Sequence, residues 1–329
     1  MKRFRCLSVL FAVPLLASNV RVYQTNSAGD EVDIIDPATN KVVQTVKDIE
    51  VPHGVTFSPD GRRAYITCEA EKTVWAVDTK TAKLIAKAPL SGHPNNLSIS
   101  KDGARLFVAI AVAPGSVDVI NTAGMKLEKT IPIRGAVHNT YVTPDGKFAL
   151  AGSVAGKTLT AIDTLTLEKT WEMEFDLGVR PMAFEKAADG STNRLFVQLS
   201  GYNGFAVVDF KTHKEVKRIA LPTDPSGGHA EGGAPSHGIG VAPDGLTLWV
   251  NSSPANAVFI YSLPDLKVKG YVKTGQVPDW ITFTPDSRMV YIANSGGNTV
   301  TAIDMLSHEE VSRISVGQVP KRNGTVVVP

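Results

Sequence analysis

The chain repeats itself about every forty-two residues, and this self-similarity restricts the fold more than any other feature of it. A short apolar or aromatic segment recurs as Tyr23-Gln-Thr-Asn26, Tyr65-Ile-Thr-Cys68, Phe107-Val-Ala-Ile110, Leu150-Ala-Gly-Ser153, Phe196-Val-Gln-Leu199, Trp249-Val-Asn-Ser252 and Tyr291-Ile-Ala-Asn294. Successive starts differ by 42, 42, 43, 46, 53 and 42 residues. Thirteen or fourteen residues after each start a second apolar strand ends in a polar residue: Asp36, Asp78, Asn121, Asp163, Asp209, Ser262 and Asp304. Six starts are preceded by a turn carrying Asp60, Asp102, Asp145, Asp189, Asp244 or Asp286.

Within each unit the apolar residues alternate, proline and glycine punctuate the turns, and no helical period occurs, so each unit reads as a four-stranded antiparallel meander. The 28 glycines and 20 prolines, scattered along the chain, suit many short strands joined by tight turns. One such meander cannot bury both of its faces. Radial stacking of seven does so and leaves only short, protected edges, which predicts an all-β seven-bladed propeller. Tyr23 opens the second strand of a unit that lacks a first. Residues 324–328 read as an orphan first strand, so they are expected to complete that blade and pin the two ends together.

The N-terminus reads as a secretory leader: Lys2, Arg3 and Arg5 precede an apolar run from Cys6 to Ala17. That run is shorter than the ~20 residues of a membrane span, which favours a cleaved leader over the alternative of an uncleaved anchor. Cleavage is expected near Ala17 to Asn19, leaving residues 19–329 as one propeller domain in the periplasm or secreted from a bacterial cell. Loss of three cations takes the formal charge from +2 to −1, nothing suggests the basic stripe of a nucleic-acid binder, and no nucleic-acid partner is expected. Cys68 is then the sole cysteine, so no intramolecular disulfide forms, and it is expected to be a partly buried, inert thiol.

The segments Val51-Pro-His-Gly-Val-Thr-Phe-Ser-Pro-Asp-Gly61 and Val300-Thr-Ala-Ile-Asp304 resemble the YVTN-type β-propeller repeat of bacterial secreted and surface proteins. The resemblance covers about residues 22–328 and implies the propeller fold. On function it is nearly silent, because similar propellers serve as binding proteins and as lactonases, lyases and redox enzymes.

Several polar residues are accounted for by the repeat. The strand-end aspartates and those of the Pro-Asp-Gly turns are expected to accept backbone N–H bonds. His213 and His308 stand at the repeat position of Asn40 and are expected to be solvated turn residues.

A propeller collects its usable groups around the axis, where the first strand of every blade begins. The residues entering those strands are His53, Asn95, His138, Arg180, His237, Asp279 and Lys321, all polar. Two chemistries stay open for this ring. His53, His138 and His237 can converge on a divalent transition metal, with Asp279 as a further ligand. Alternatively, Arg180 and Lys321, helped by Asn95 and Asp279, can hold a small carboxylate or phosphate, with the histidines exchanging protons. A third possibility is that Pro-His-Gly is merely how this repeat opens its strand. About eleven extra residues fall in Thr223–Ser236, just before His237, and bring His229 and Glu231 as an acid/base pair on a lid or ligand arm. Rim loops with Asp30, Glu69, Glu71, Tyr202, Asn203, Asn256 and Asn298 can extend the mouth toward a protein or peptide partner.

Two classes of function follow. One is a monomeric extracytoplasmic binding protein that takes a ligand or metal at its channel mouth, without a nucleotide cofactor. The other is a metal-dependent lyase, lactone hydrolase or oxidoreductase built on the three histidines. No nucleophile elbow or cofactor fingerprint singles out the second.

Overall fold

The computed structural model describes residues 19–222 and 234–329. These contain 28 strands and no helix, arranged as seven four-stranded antiparallel sheets around one axis. Six sheets follow chain order. The remaining one is built from Val20–Asn26, Val32–Asp36, Lys41–Val46 and the last strand, Pro320–Val327. The predicted closure is therefore present and longer than the five residues expected: Tyr23 pairs with Gly324 and the register runs from Val20↔Val327 to Asn26↔Pro320.

The core lies between blades, as a stack of meanders requires. Tyr23, Val32 and Ile34 of the first blade pack on Ala64, Ile66, Trp75 and Val77 of the second. Val22 and Ile35 pack on Tyr291, Val300 and Ala302 of the last, so the ring is sealed by the same contacts that join its other members. The two middle strands of each blade are buried on both faces, as in Tyr65 to Cys68 and Val74 to Val77, which is why their sequences are continuously apolar. Outermost strands such as Lys41–Val46 alternate between exposed and part-buried positions.

The turn aspartates do what the repeat predicts. Asp78 Oδ1 accepts from the backbone N–H groups of Lys80 and Thr81 at 3.1 and 2.8 Å, and Asp163 and Asp304 repeat the arrangement. His213 and His308 depart from expectation. They share with Asn40 a left-handed backbone, at φ 52°, 58° and 53°. Their rings are half-buried: His213 stacks on Trp171 with centroids 4.1 Å apart, and His308 meets Trp249 edge-on at 5.8 Å. Cys68 is fully buried rather than partly so, and its thiol donates to the Glu50 carbonyl at 3.0 Å while burial pushes its pKa up.

One turn braces the closure. Gly61 has φ +70°, and a Cβ placed there would lie 2.1 Å from the carbonyl oxygen of Val327. A side chain at this position meets both a left-handed backbone, costing about 1–2 kcal/mol, and a backbone collision with the closing strand. Gly61→Ala is expected to lower stability by at least ~2 kcal/mol in urea unfolding; a change under about 0.5 kcal/mol would show that the turn and the closing strand are not mechanically joined.

Candidate functional site

The sites of interest sit where the innermost strands begin: Pro52–Phe57, Pro94–Ile99, Val137–Val142, Val179–Lys186, Ile239–Val241, Pro278–Phe283 and Pro320–Val327. The neighbouring blade holds these entries in place. Thr25 donates to the His53 carbonyl and Thr67 to the Asn95 carbonyl, each at 2.7 Å, and Asn251 Nδ2 donates to the Trp280 carbonyl at 3.2 Å. These donors occupy the third position of the repeated Tyr-Ile-Thr-type segment, so a residue type visible in the repeat positions the next blade's axial residue.

Five of the ring residues join into a network through their side chains, and a sixth, Asn95, pairs with the Arg322 beside Lys321. His237 Nδ1 lies 2.8 Å from Asp279 Oδ1, and Lys321 Nζ lies 3.9 Å from Asp279 Oδ2. His237 Nε2 faces His138 Nε2 at 3.5 Å, and Arg180 Nη1 donates to His138 Nε2 at 3.4 Å. Arg180 Nε also donates to Ser200 Oγ at 2.9 Å. Asn95 Oδ1 accepts from Arg322 Nη2 at 2.5 Å. His53 is the seventh member. It turns to Glu69 on the rim, whose carboxylate contacts His53 Nδ1. Glu69 therefore belongs to the site rather than to a solvated loop.

Of the three histidines anticipated as metal ligands, the structure sets two side by side. His138 and His237 come together, while the Nδ1 of His53 is taken by Glu69, and among the described residues no group of three or more His, Cys, Asp or Glu side chains is arranged to hold a metal ion. His138 feels the positive charges of Arg322 and Arg180, which repel a cation as strongly as they attract an anion. His229 and Glu231 lie outside the described residues.

The residue that the ring count misses is Arg322, one position past Lys321. Equivalent positions in the other blades are Gly54, Asn96, Asn139, Pro181, Gly238 and Trp280. Glycine is required where the next blade presses close: a Cβ on Gly54 would lie 2.9 Å from the carbonyl oxygen of Asn95. Where the axis is open, Trp280 and Arg322 fill it. The Arg322 guanidinium lies 4.0 Å from the Trp280 ring centroid and is 1% exposed. Its Nη2 reaches Asn95, but Nε and Nη1 are buried with no hydrogen-bond partner. An arginine following a lysine at the opening of the closing strand was the signal available in the sequence, since no other blade carries a cation at that position.

Burial and neighbouring charge set the protonation of the site. Burial drives Arg322 down to about 10, partly opposed by Tyr141, Asp279 and Glu69. Burial also lowers His53 to about 4 against the pull of Glu69, and lowers His138 and His237, with Arg322 adding to the effect in each. Burial alone would raise the Asp279 carboxyl, yet His237, Lys321 and Arg322 hold it at about 2. The site thus carries neutral imidazoles, an ionised carboxylate and buried cations near pH 7.

A pH dependence follows. His53 is neutral in the fold down to about 4 but takes up a proton near 6.5 when unfolded. Its contribution is present above 6.5 and is lost as pH falls from there toward 4, at about 1.4 kcal/mol per pH unit, or about 3 kcal/mol in total. Asp279 adds a loss only below its ordinary 3.8, toward 2. His53→Asn is expected to flatten the part of the stability profile between pH 6.5 and 4 that belongs to this residue, read by urea unfolding at several pH values. An unchanged slope would mean that His53 is not held neutral.

A separate groove of about 710 Å³ lies on the same face between the first-blade turn and the following linker. Asp30, Glu31, Asp48 and Glu50 line it, and Asp33 and Asp30 join burial in raising the Glu31 carboxyl. Its charge is opposite to that of the axial site.

With this geometry in view, the likeness to known proteins can be stated. Among curated proteins, the uncharacterized protein YncE of Salmonella typhimurium is 27% identical over 90 residues, a stretch spanning 27% of this chain and 25% of that protein. The periplasmic gluconolactonase PpgL of Pseudomonas aeruginosa superposes with a TM-score of 0.76 at 19% identity, covering 94% of this chain and 100% of that one. Hydrazine synthase of Kuenenia stuttgartiensis gives 0.75 at 19% identity, over 92% of this chain and 99% of that one. At these identities the structural likeness speaks to fold alone. The model of one family, the YNCE-like beta-propeller, matches residues 12–327, and the chain belongs to that family.

Proposed function

We propose that this protein is an extracytoplasmic binding protein that takes a small anion, a carboxylate or phosphate, at the axial mouth of the propeller. The observation that carries this reading is Arg322. A guanidinium that is 1% exposed, with Nε and Nη1 unpaired, is costly in the free protein. An anionic oxygen placed against those two donors removes the cost and gains charge-assisted hydrogen bonds. Arg180 and Lys321 add positive potential at the same end, and Lys321 remains 40% exposed at the mouth.

The leader-like segment 1–18 lies outside the described residues, and placement in the periplasm or outside the cell rests on its sequence. Among the described residues no helix is long and apolar enough to cross a membrane.

The neutral His138–His237 pair supports a second reading, in which the same pocket works on its ligand with a metal. The flanking guanidiniums weigh against it, and the two readings separate in one experiment. Purified protein is expected to gain several degrees in melting temperature with millimolar carboxylates or phosphates, since ligand at about 100 times Kd adds about 2.7 kcal/mol. Elemental analysis of the same sample is expected to give substoichiometric metal. No response to any anion, together with a stoichiometric transition metal, would overturn the proposal in favour of the metal reading.

A further inference from the structure

Resting on that anion-site reading, we propose a substrate class for it: the site selects oxyanions that carry their own O–H donor, such as hydrogenphosphate or a hydroxy-carboxylate, over oxyanions that carry none.

The argument is an inventory of hydrogens. His237 Nδ1 faces two acceptors, Asp279 Oδ1 at 2.8 Å and the Asp279 carbonyl at 3.1 Å. Its hydrogen therefore sits on Nδ1, and Nε2 presents a lone pair. Asn139 Oδ1 contacts His138 Nδ1, and Arg180 Nη1, which can only donate, faces His138 Nε2 at 3.4 Å. His138 thus also carries its hydrogen on Nδ1. The two Nε2 atoms, 3.5 Å apart, bring two lone pairs together with no hydrogen between them. Arg180 supplies a donor to the one on His138. Among the described residues nothing supplies a donor to the one on His237.

Two unmatched demands therefore lie beside the same indole ring. Arg322 offers donors without an acceptor, and His237 offers an acceptor without a donor. Both side chains lie against Trp280, Arg322 at 4.0 Å and the His237 ring at 5.6 Å between centroids. A single ligand satisfies both only if it brings an anionic oxygen to Arg322 and a hydroxyl hydrogen to His237. A fully deprotonated oxyanion would instead set an oxygen lone pair against that of His237 in a buried site, where an unmade hydrogen bond weakens binding about 10- to 100-fold. The depression of both histidines by burial and by Arg322 keeps them from supplying the hydrogen themselves.

Phosphate and sulfate provide the comparison, because at about pH 8 both are divalent tetrahedral anions and only phosphate retains a hydrogen. Glycolate against acetate asks the same of a carboxylate and tells the two sources apart. By isothermal titration, the hydroxyl-bearing member of at least one pair is expected to bind about 10- to 100-fold tighter than its partner. In Asp279→Asn the amide can donate to His237 Nδ1 and move the ring hydrogen to Nε2, so the ratio is expected to fall to about one or invert. Equal binding within both pairs, with both members lost in Arg322→Met, would overturn this selectivity while leaving the anion site standing. Binding of none of the four would remove both. Should Asp279→Asn fail to fold, long-range proton–nitrogen NMR on the wild-type protein decides separately: a hydrogen on His237 Nε2 refutes the proposal, and a bare Nε2 supports it.

Discussion

Arg322→Met is expected to make the free protein more stable and at the same time unable to bind its anion. The two effects have one cause. Arg322 is a buried cation whose Nε and Nη1 lack protein partners, so the free protein bears a desolvation penalty that a bound anion relieves. Methionine keeps much of the volume against Trp280 and removes the charge, and replacing buried ionic groups by apolar ones of similar size is often stabilising by about 1–4 kcal/mol. Loss of the hydrogen bond to Asn95 and of the cation–π contact takes back part of that gain. The net expectation is a rise of a few degrees in melting temperature at about 2–4 °C per kcal/mol. Affinity moves the other way. Truncating one partner of a buried charge-assisted contact costs about 2–5 kcal/mol, which is about thirtyfold to several thousandfold in Kd. Differential scanning calorimetry with and without anion reads both quantities. A variant that is less stable when free and still shifts with anion would show that Arg322 is a structural residue satisfied within the fold.

The second large effect concerns closure. Removing residues 320–329 is expected to abolish the cooperative unfolding transition, rather than shift it. Pro320–Val327 supplies the innermost strand of the first blade, and its loss leaves the edge of Val20–Asn26 unpaired over its whole register. It also uncovers Val326, which packs in the cluster with Tyr23, Ile66 and Trp75. A ring opened at one seam loses the constraint that presses each blade on the next, and a stability of about 5–15 kcal/mol cannot absorb that. Near-UV circular dichroism and urea titration test this directly. A sharp transition within about 0.5 M urea of the wild-type midpoint, a change of only about 1 kcal/mol, would mean that the ring closes with a three-stranded first blade and no strap. Arg322→Met serves as the control that separates loss of the strand from loss of its one buried charge.

The histidines show where reading a sequence stops. Pro-His-Gly at 52–54 and Ser-His-Gly at 236–238 mark the strand entries, and the polar ring at His53, Asn95, His138, Arg180, His237, Asp279 and Lys321 follows from repeat spacing alone. Its convergence at one end of the axis is what the fold delivers, because like positions in a closed ring are near neighbours whatever their distance in the chain. Spacing does not set the direction of a side chain. His53 pairs with Glu69, whereas His138 and His237 meet, and that difference is not legible in the spacing of the repeat.

The repeat by itself determined the number of blades, the antiparallel order, the turn aspartates and the joining of the two ends, since these depend on local alternation and on the need of each meander to cover its faces. Only the tertiary structure decided that Arg322, rather than Lys321, is the buried cation. The choice rests on which strand entries are pressed by the next blade and must be glycine, and which open into the axis and admit a guanidinium, and that is a matter of spacing between blades more than two hundred residues apart in the chain.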